Sequence, residues 1–391
     1  MYRSLKAIQA ALRDLLIRIL PISAKRKKTY AYAFLVHARN HEDVARKYPI
    51  FKGLPRFVIE SFTRHLWPIT LSEIKGLKSK KGNKPIKGWV ITIPLTARQM
   101  LENRKLALKR IVQASQLAEK MGAKVIGLGA LTSSLSRGGV DLIDKVSIGV
   151  TTGHAYTAYN VTSNLNVINN FLQNEKEKVV IAIVGASGSI GSTSAKILAS
   201  QGYKNIILID VPRKAHYFEK IEKELISLCP GLKITFDHGL NLLKQADYII
   251  TATNTPEALV HADDLKIGAV IFNDAQPTDV HPDVFEREDV LVIEAGVVWT
   301  PGINSHFNFG LKDRHDNFCC MAELLILAHQ EWRKHYIIDR AELSSVDEIV
   351  SFSKGLNFKI AKFQNSKEII PDWKLEKIKE LNVRSKTLLH V

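Results

Sequence analysis

Residues 179–191 read Val-Val-Ile-Ala-Ile-Val-Gly-Ala-Ser-Gly-Ser-Ile-Gly, and this stretch decides the fold. The first six form an unbroken apolar run, as a central parallel strand buried on both faces requires. Gly185, Gly188 and Gly191 then follow, with Ser187, Ser189 and Ile190 between them. Gly185 permits a tight turn, Gly188 lets the backbone approach a pyrophosphate, and Gly191 allows a helix to pack closely on the strand. The helix predicted to run on to Ser200 would offer its free N–H groups and positive dipole end to phosphates. A second apolar run, Ile206–Ile209, ends at Asp210, 19 residues after Gly191. Strand, glycine turn, helix, strand and acid in that order specify a dinucleotide-binding unit far better than the glycines alone.

Further along, Tyr248–Thr251, Ala269–Phe272 and Val290–Ile293 supply buried strands, with Thr253 just beyond the first. No Lys-Ser/Thr pair follows the glycines, which excludes a P-loop. The fold class is therefore α/β, with a Rossmann-type doubly wound NAD(P)-binding domain. Asp210 favours a ribose hydroxyl and hence NADH, whereas Arg213 and Lys214 just after it suit the 2′-phosphate of NADPH.

The charge is unevenly spread. The chain of 391 residues carries a net +16, yet residues 1–174 hold +20 and residues 175–330 hold −7. Such a split suggests two domains with different partners. Boundaries are expected at a basic amphipathic extension (1–28), a smaller α/β substrate domain (29–174), the Rossmann domain (175–330) and a helical C-terminal segment packing back on the first domain (331–391). Asn174–Lys178 is the expected linker. No apolar stretch approaches the roughly 18 residues of a spanning helix. Three cysteines, with no C-x-x-C and no zinc spacing, exclude a disulfide framework, predict no metal site and suit a reducing, cytoplasmic setting.

Within residues 1–28, Leu5, Ile8, Leu12, Leu15, Leu16 and Ile19 recur at helical spacing among basic residues, and Lys25-Arg26-Lys27-Lys28 follows. This helix either lies on an anionic membrane or docks on its own domain. Lys75–Lys87 holds six lysines and no acid and reads as a hairpin tip or loop. Residues 98–121 read as one helix, Thr132-Ser133-Ser134 as a loop, and Gly153 to Leu172 as a helix. Phe318-Cys319-Cys320-Met321-Ala322-Glu323 opens an apolar helix, where the dipole would stabilise a thiolate on either cysteine.

With these motifs assembled, the chain resembles the long-chain fatty acyl-[acyl-carrier-protein] reductases, which form aldehydes. Gly127-Leu-Gly129-Ala-Leu-Thr-Ser133 is similar to that family's glycine-rich segment. Thr151-Thr152-Gly153-His154-Ala-Tyr-Thr157-Ala resembles its Thr-Thr-Gly-Asn stretch, Gly185–Gly191 its cofactor loop, Gly296-Val-Val its last strand turn, and Phe318–Glu323 its Phe-x-Cys-x-Ala-Glu pattern. The resemblance implies that Cys320, in that register, carries the acyl group. It implies a substrate site among Gly129, Ser133, Thr152, Gly153, His154 and Thr157, with NADPH as reductant. It also implies a long-chain acyl thioester on acidic acyl carrier protein or coenzyme A. The basic half lacks a recognisable reading helix or stacking-aromatic motif, so no nucleic-acid partner is expected. His154 and His315 are the nearest candidates for a general acid. The first 28 residues and the acid at Asp210 depart from the family, and Asp210 keeps NADH open.

Two further readings share the architecture. One is a two-domain NAD(P) dehydrogenase of the shikimate and methylene-pterin dehydrogenase kind, which needs no cysteine. The other is a membrane-peripheral NAD(P)H-binding sensor.

Overall fold

Most of the apolar runs gather into a five-stranded and a six-stranded sheet; a short three-stranded one is also formed. The computed structural model describes residues 2–19, 29–255 and 257–388; Pro21 and Lys25-Arg26-Lys27-Lys28 lie outside the described residues. The chain divides into two units of nearly equal size. One comprises Met1–Gly153, Thr300–Asp339 and Ser351–Asn357; the other comprises His154–Trp299, Arg340–Val350 and Phe358–Val391.

The first unit is built on β1 (Ala31–Ala38), β2 (Ile69–Ile74), β3 (Lys87–Thr96), β4 (Val125–Leu128) and β5 (Gly149–Thr151). Their order is β2-β3-β1-β4-β5. All are parallel except β2, which runs antiparallel to β3. Lys75–Lys87 is indeed the β2–β3 connection, with all six lysines exposed. Its backbone is nevertheless pinned: Lys75 N–H donates to Asn304 O (2.8 Å), and Lys80 N–H to His329 O (2.9 Å). The helix expected over 98–121 is two, Ala97–Glu102 and Arg104–Met121. Asn103 divides them, because its side chain accepts from Leu106 N–H at 3.0 Å and starts a new helix. Residues 132–134, expected as a loop, lie in a one-turn helix, Leu131–Ser134.

The N-terminal helix, Tyr2–Ile19, docks on this unit. Asp14 is fully buried and accepts from Thr70 N–H at 2.6 Å, Trp67 Nε1–H donates to Ala11 O at 3.3 Å, and Ile17 joins the core. Leu12, Leu16 and Ile19 stay exposed.

The second unit holds β6 (Val180–Val184), β7 (Asn205–Ile209), β8 (Lys233–Asp237), β9 (Tyr248–Thr251), β10 (Val270–Asn273) and β11 (Leu291–Glu294). All are parallel, in the order β11-β10-β9-β6-β7-β8. Counted from β6, this is the 3-2-1-4-5-6 order of dinucleotide-binding domains. Strand alternation feeds two cores. Ile181 and Ile183 pack with Val161, Leu165 and Leu198 from helices on one face; Ala182 and Val184 pack on the other with Val260 and with Leu243 and Val284 from 3₁₀ turns. A carboxyl-end crevice forms where the order reverses, between β6 and β9.

Three boundaries drawn from the sequence move. His154–Phe171 is a helix of the second unit, because Val161, Leu165 and Ile168 complete its core. Asn174–Lys178 therefore lies inside that unit and is not the linker. Thr300–Asp339, with Cys320, belongs to the first unit, since its apolar helix packs on β4 and β1. The C-terminal helix Asp372–Leu388 packs on the second unit, with Ile378 buried there, and not on the first as expected.

Candidate active site

The nucleotide loop leaves β6 through Gly185, whose φ of +86° demands glycine. Its N–H and that of Ala186 both donate to Ile209 O (2.9 and 3.1 Å), which ties the turn to β7. A Cβ on Gly191 would lie 2.4 Å from Gly185 O, so the helix can start here only with glycine. A Cβ on Gly188 would meet only Gly185 O (3.1 Å) and Ala252 O (3.9 Å), leaving open space on its other side. The helix Ser189–Ser200 has Gly188 as N-cap and no side-chain cap. An open helix N-terminus behind a glycine fits a pyrophosphate, so these residues suit a dinucleotide.

Asp210 takes part differently from a bare ribose ligand. It is buried, and its Oδ2 accepts from Ser187 N–H at 3.0 Å and from the Ser187 hydroxyl. Its Oδ1 accepts from Val211 N–H at 2.8 Å and lies 3.5 Å from Lys214 Nζ. The carboxylate thus braces the glycine loop. Arg213 is exposed beyond it. Sequence reasoning missed Arg340, which donates to Ser192 Oγ (3.4 Å) on the first turn of the phosphate helix and lies 4.8 Å over the Tyr217 ring. Nothing in its local sequence signals that role.

Thr253 follows β9 and donates through N–H and Oγ1 to Asp279 (3.1 and 2.6 Å), joining the loops after β9 and β10. Burial pushes the Asp279 carboxyl up to about 6, against the two Thr253 hydrogen bonds. Asp274, at the end of β10, is pushed up to about 7 by burial, reinforced by Glu294 and Asp279. Gly296 leaves it room, because a Cβ there would lie 2.3 Å from Asp274 Oδ1. Asp274 is thus a carboxyl able to hold or release a proton near neutrality. An acid ending a buried apolar run was the available signal.

In the first unit, the helix Cys319–His329 begins at Phe318 with no side-chain cap. Cys319 and Cys229 are buried while Cys320 is partly exposed, so the two neighbours differ in access. Gly153, at φ +83°, passes so close that a Cβ would sit 2.4 Å from Cys320 Cβ. Glu323, fully buried one turn on, accepts from Gly153 N–H at 3.1 Å and from the Thr151 hydroxyl. It fixes the Thr151-Thr152-Gly153 segment against the cysteine. The Thr152 hydroxyl is buried with no hydrogen-bond partner. Gly129 accepts from the Thr132 hydroxyl (2.8 Å), and Ser133 is buried in the short helix. His154 and Thr157 occupy the first turn of a helix of the second unit, Thr157 buried and His154 partly exposed.

Comparison with known proteins gives a divided picture. The family model described as shikimate / quinate 5-dehydrogenase matches residues 167–295, about a third of the chain. Aminotransferase PigE of Serratia sp. is 28% identical over 261 residues, 65% of this chain; the chain covers 30% of that protein's length. A long-chain acyl-[acyl-carrier-protein] reductase of Synechococcus elongatus is 24% identical over 257 residues, 61% of this chain and 72% of that one. Among solved structures, quinate dehydrogenase from Corynebacterium glutamicum, in complex with NAD, superposes with a TM-score of 0.36 at 10% identity, covering 83% of this chain and 99% of that chain. That score is too low to bear weight. The Rossmann fold stands on its own strand order, and the matched segment 167–295 lies within it. The acyl-reductase resemblance has a distant relative behind it, and the family model favours the dehydrogenase reading. Among the described residues no helix is long and apolar enough to cross a membrane.

Proposed function

We propose that this protein is an NAD(P)(H)-dependent oxidoreductase of the two-domain dehydrogenase kind, reducing or oxidising a carbonyl or alcohol by direct hydride transfer. The observation that carries it is the glycine loop at the β6–β9 switch point of a 3-2-1-4-5-6 sheet, and the dehydrogenase family model on residues 167–295 supports it. Gly185–Gly191 would hold the pyrophosphate, and Asp210 would keep that loop rigid through Ser187. When bound, the nicotinamide supplies or takes up hydride. Asp274 is the group we assign to hold the accompanying proton. Turnover unaffected by thiol alkylation would support this reading; complete loss on alkylation would overturn it.

The second reading, a long-chain acyl thioester reductase, rests on Cys320: accessible, at an uncapped helix N-terminus, with Gly153 and Glu323 shaping its surroundings. The thiolate would attack the thioester carbonyl, and the tetrahedral intermediate would collapse with loss of the pantetheine thiolate. Hydride addition to the resulting acyl-enzyme and collapse of the hemithioacetal would release the aldehyde and restore the thiolate. The exposed lysines of 75–87 would steer an acidic carrier, and residues 1–28 would give a peripheral membrane contact. Intact mass after incubation with long-chain acyl-CoA, without reductant, separates the readings. An adduct lost in Cys320→Ala favours the thioester reductase; its absence favours direct transfer.

A further inference from the structure

Two loops of the second unit carry a histidine at equivalent places. Val260 and Val280 face each other in an isolated parallel bridge, and His281 N–H donates to Val260 O at 2.9 Å. Each valine is followed at once by a histidine that begins a short 3₁₀ turn, Ala262–Asp264 or Pro282–Glu286. Lying abreast, the two rings come to 4.2 Å between centroids, tilted by 31°. Asp283 reaches both: its Oδ2 lies 3.4 Å from His261 Nδ1, and its Oδ1 lies 3.1 Å from His281 Nδ1. Ala262 N–H donates to the same carboxylate at 3.2 Å and orients it.

One nitrogen of each imidazole and a carboxylate oxygen thus fall within 4.8 Å of one another. A tetrahedral ion with bonds of about 2.0–2.1 Å holds neighbouring ligand atoms about 3.3 Å apart. Asp283 Oδ1 lies 3.1 Å from His281 Nδ1 and Oδ2 lies 3.4 Å from His261 Nδ1, so each nitrogen has its own carboxylate oxygen near that separation. Two imidazoles and one carboxylate form a zinc-type donor set that leaves a fourth position for water. The side chains are between 41% and 48% exposed, so an ion can enter from solvent.

We propose that His261, His281 and Asp283 form a binding site for a divalent metal ion of the zinc class, separate from the nucleotide loop. The ion would clamp the loops after β9 and β10, which the Thr253–Asp279 hydrogen bonds already join. Sequence spacing hides the set, because 20 residues separate the histidines.

The test is calorimetric titration of the chelator-treated full chain with ZnCl₂, repeated with Co²⁺ to read its visible absorption. One equivalent should bind, and His261→Ala and His281→Ala should each weaken binding at least about tenfold. Circular dichroism of those variants should match the wild type, since both rings are half exposed. A Cys319→Ser/Cys320→Ser variant should keep full stoichiometry, which excludes the thiols as ligands. No binding by the wild type, or binding unchanged in both histidine variants, would overturn the proposal, as would loss of the ion in the cysteine variant alone.

Discussion

Cys319 and Cys320 are neighbours in sequence and unequal in reach. Helical spacing could not separate them and the family register chose Cys320; in the fold Cys319 is buried and Cys320 partly exposed. Limited treatment with iodoacetamide should therefore modify Cys320 first and leave Cys319 and Cys229 unmodified, as read by peptide mass. Labelling of Cys319 ahead of Cys320 would contradict the placement. Gly185 and Gly191 were legible because a positive φ at the first and a close contact at the second demand glycine. Gly191→Ala would drive a Cβ to 2.4 Å from Gly185 O. It should cost on the order of 3 kcal/mol in urea unfolding. Asp210 was legible as the acid ending β7 but not as the brace of Ser187, since its partner is fixed only when the loop folds back.

At the scale of elements, apolar runs on both-face-buried strands were read nearly in place, from β6 to β11. The exception is β8, Lys233–Asp237, an edge strand whose Lys233 and Thr235 face solvent, so no unbroken apolar run marks it. The break at Asn103 was missed because one side chain decides it. The docking of the N-terminal helix turns on Asp14. Asp14→Ala leaves Thr70 N–H without its partner and should cost about 1–3 kcal/mol, with faster proteolytic release of the helix. At the rim of β10, the raised Asp274 carboxyl binds its proton more tightly in the fold than in the unfolded chain. Its contribution therefore favours folding most at low pH and fades as pH rises from about 4 through about 7. Asp274→Asn should gain on the wild type at pH 8 relative to pH 5, by roughly 2–3 kcal/mol in urea unfolding. An identical difference at both pH values would refute the shift.

For the molecule as a whole, the sequence placed the cysteine helix in the nucleotide domain, yet it folds with the first unit. Its contacts are non-local: Leu324 packs against Gly127, and Glu323 against Gly153, each far away in the chain. Periodicity cannot report such pairs. The charge split survives in altered form, with the lysine-rich loop pinned by Asn304 and His329 and its ammonium groups in solvent. We assign Gly185–Gly191 as the seat of a nicotinamide dinucleotide. Titration of NADPH and NADH against the full chain, followed by nucleotide fluorescence, tests it most directly. Saturable binding at one site per chain is expected, abolished in a folded Gly188→Asp variant, where a carboxylate would occupy the phosphate position. No binding of either nucleotide, or equal binding by that variant, would contradict it.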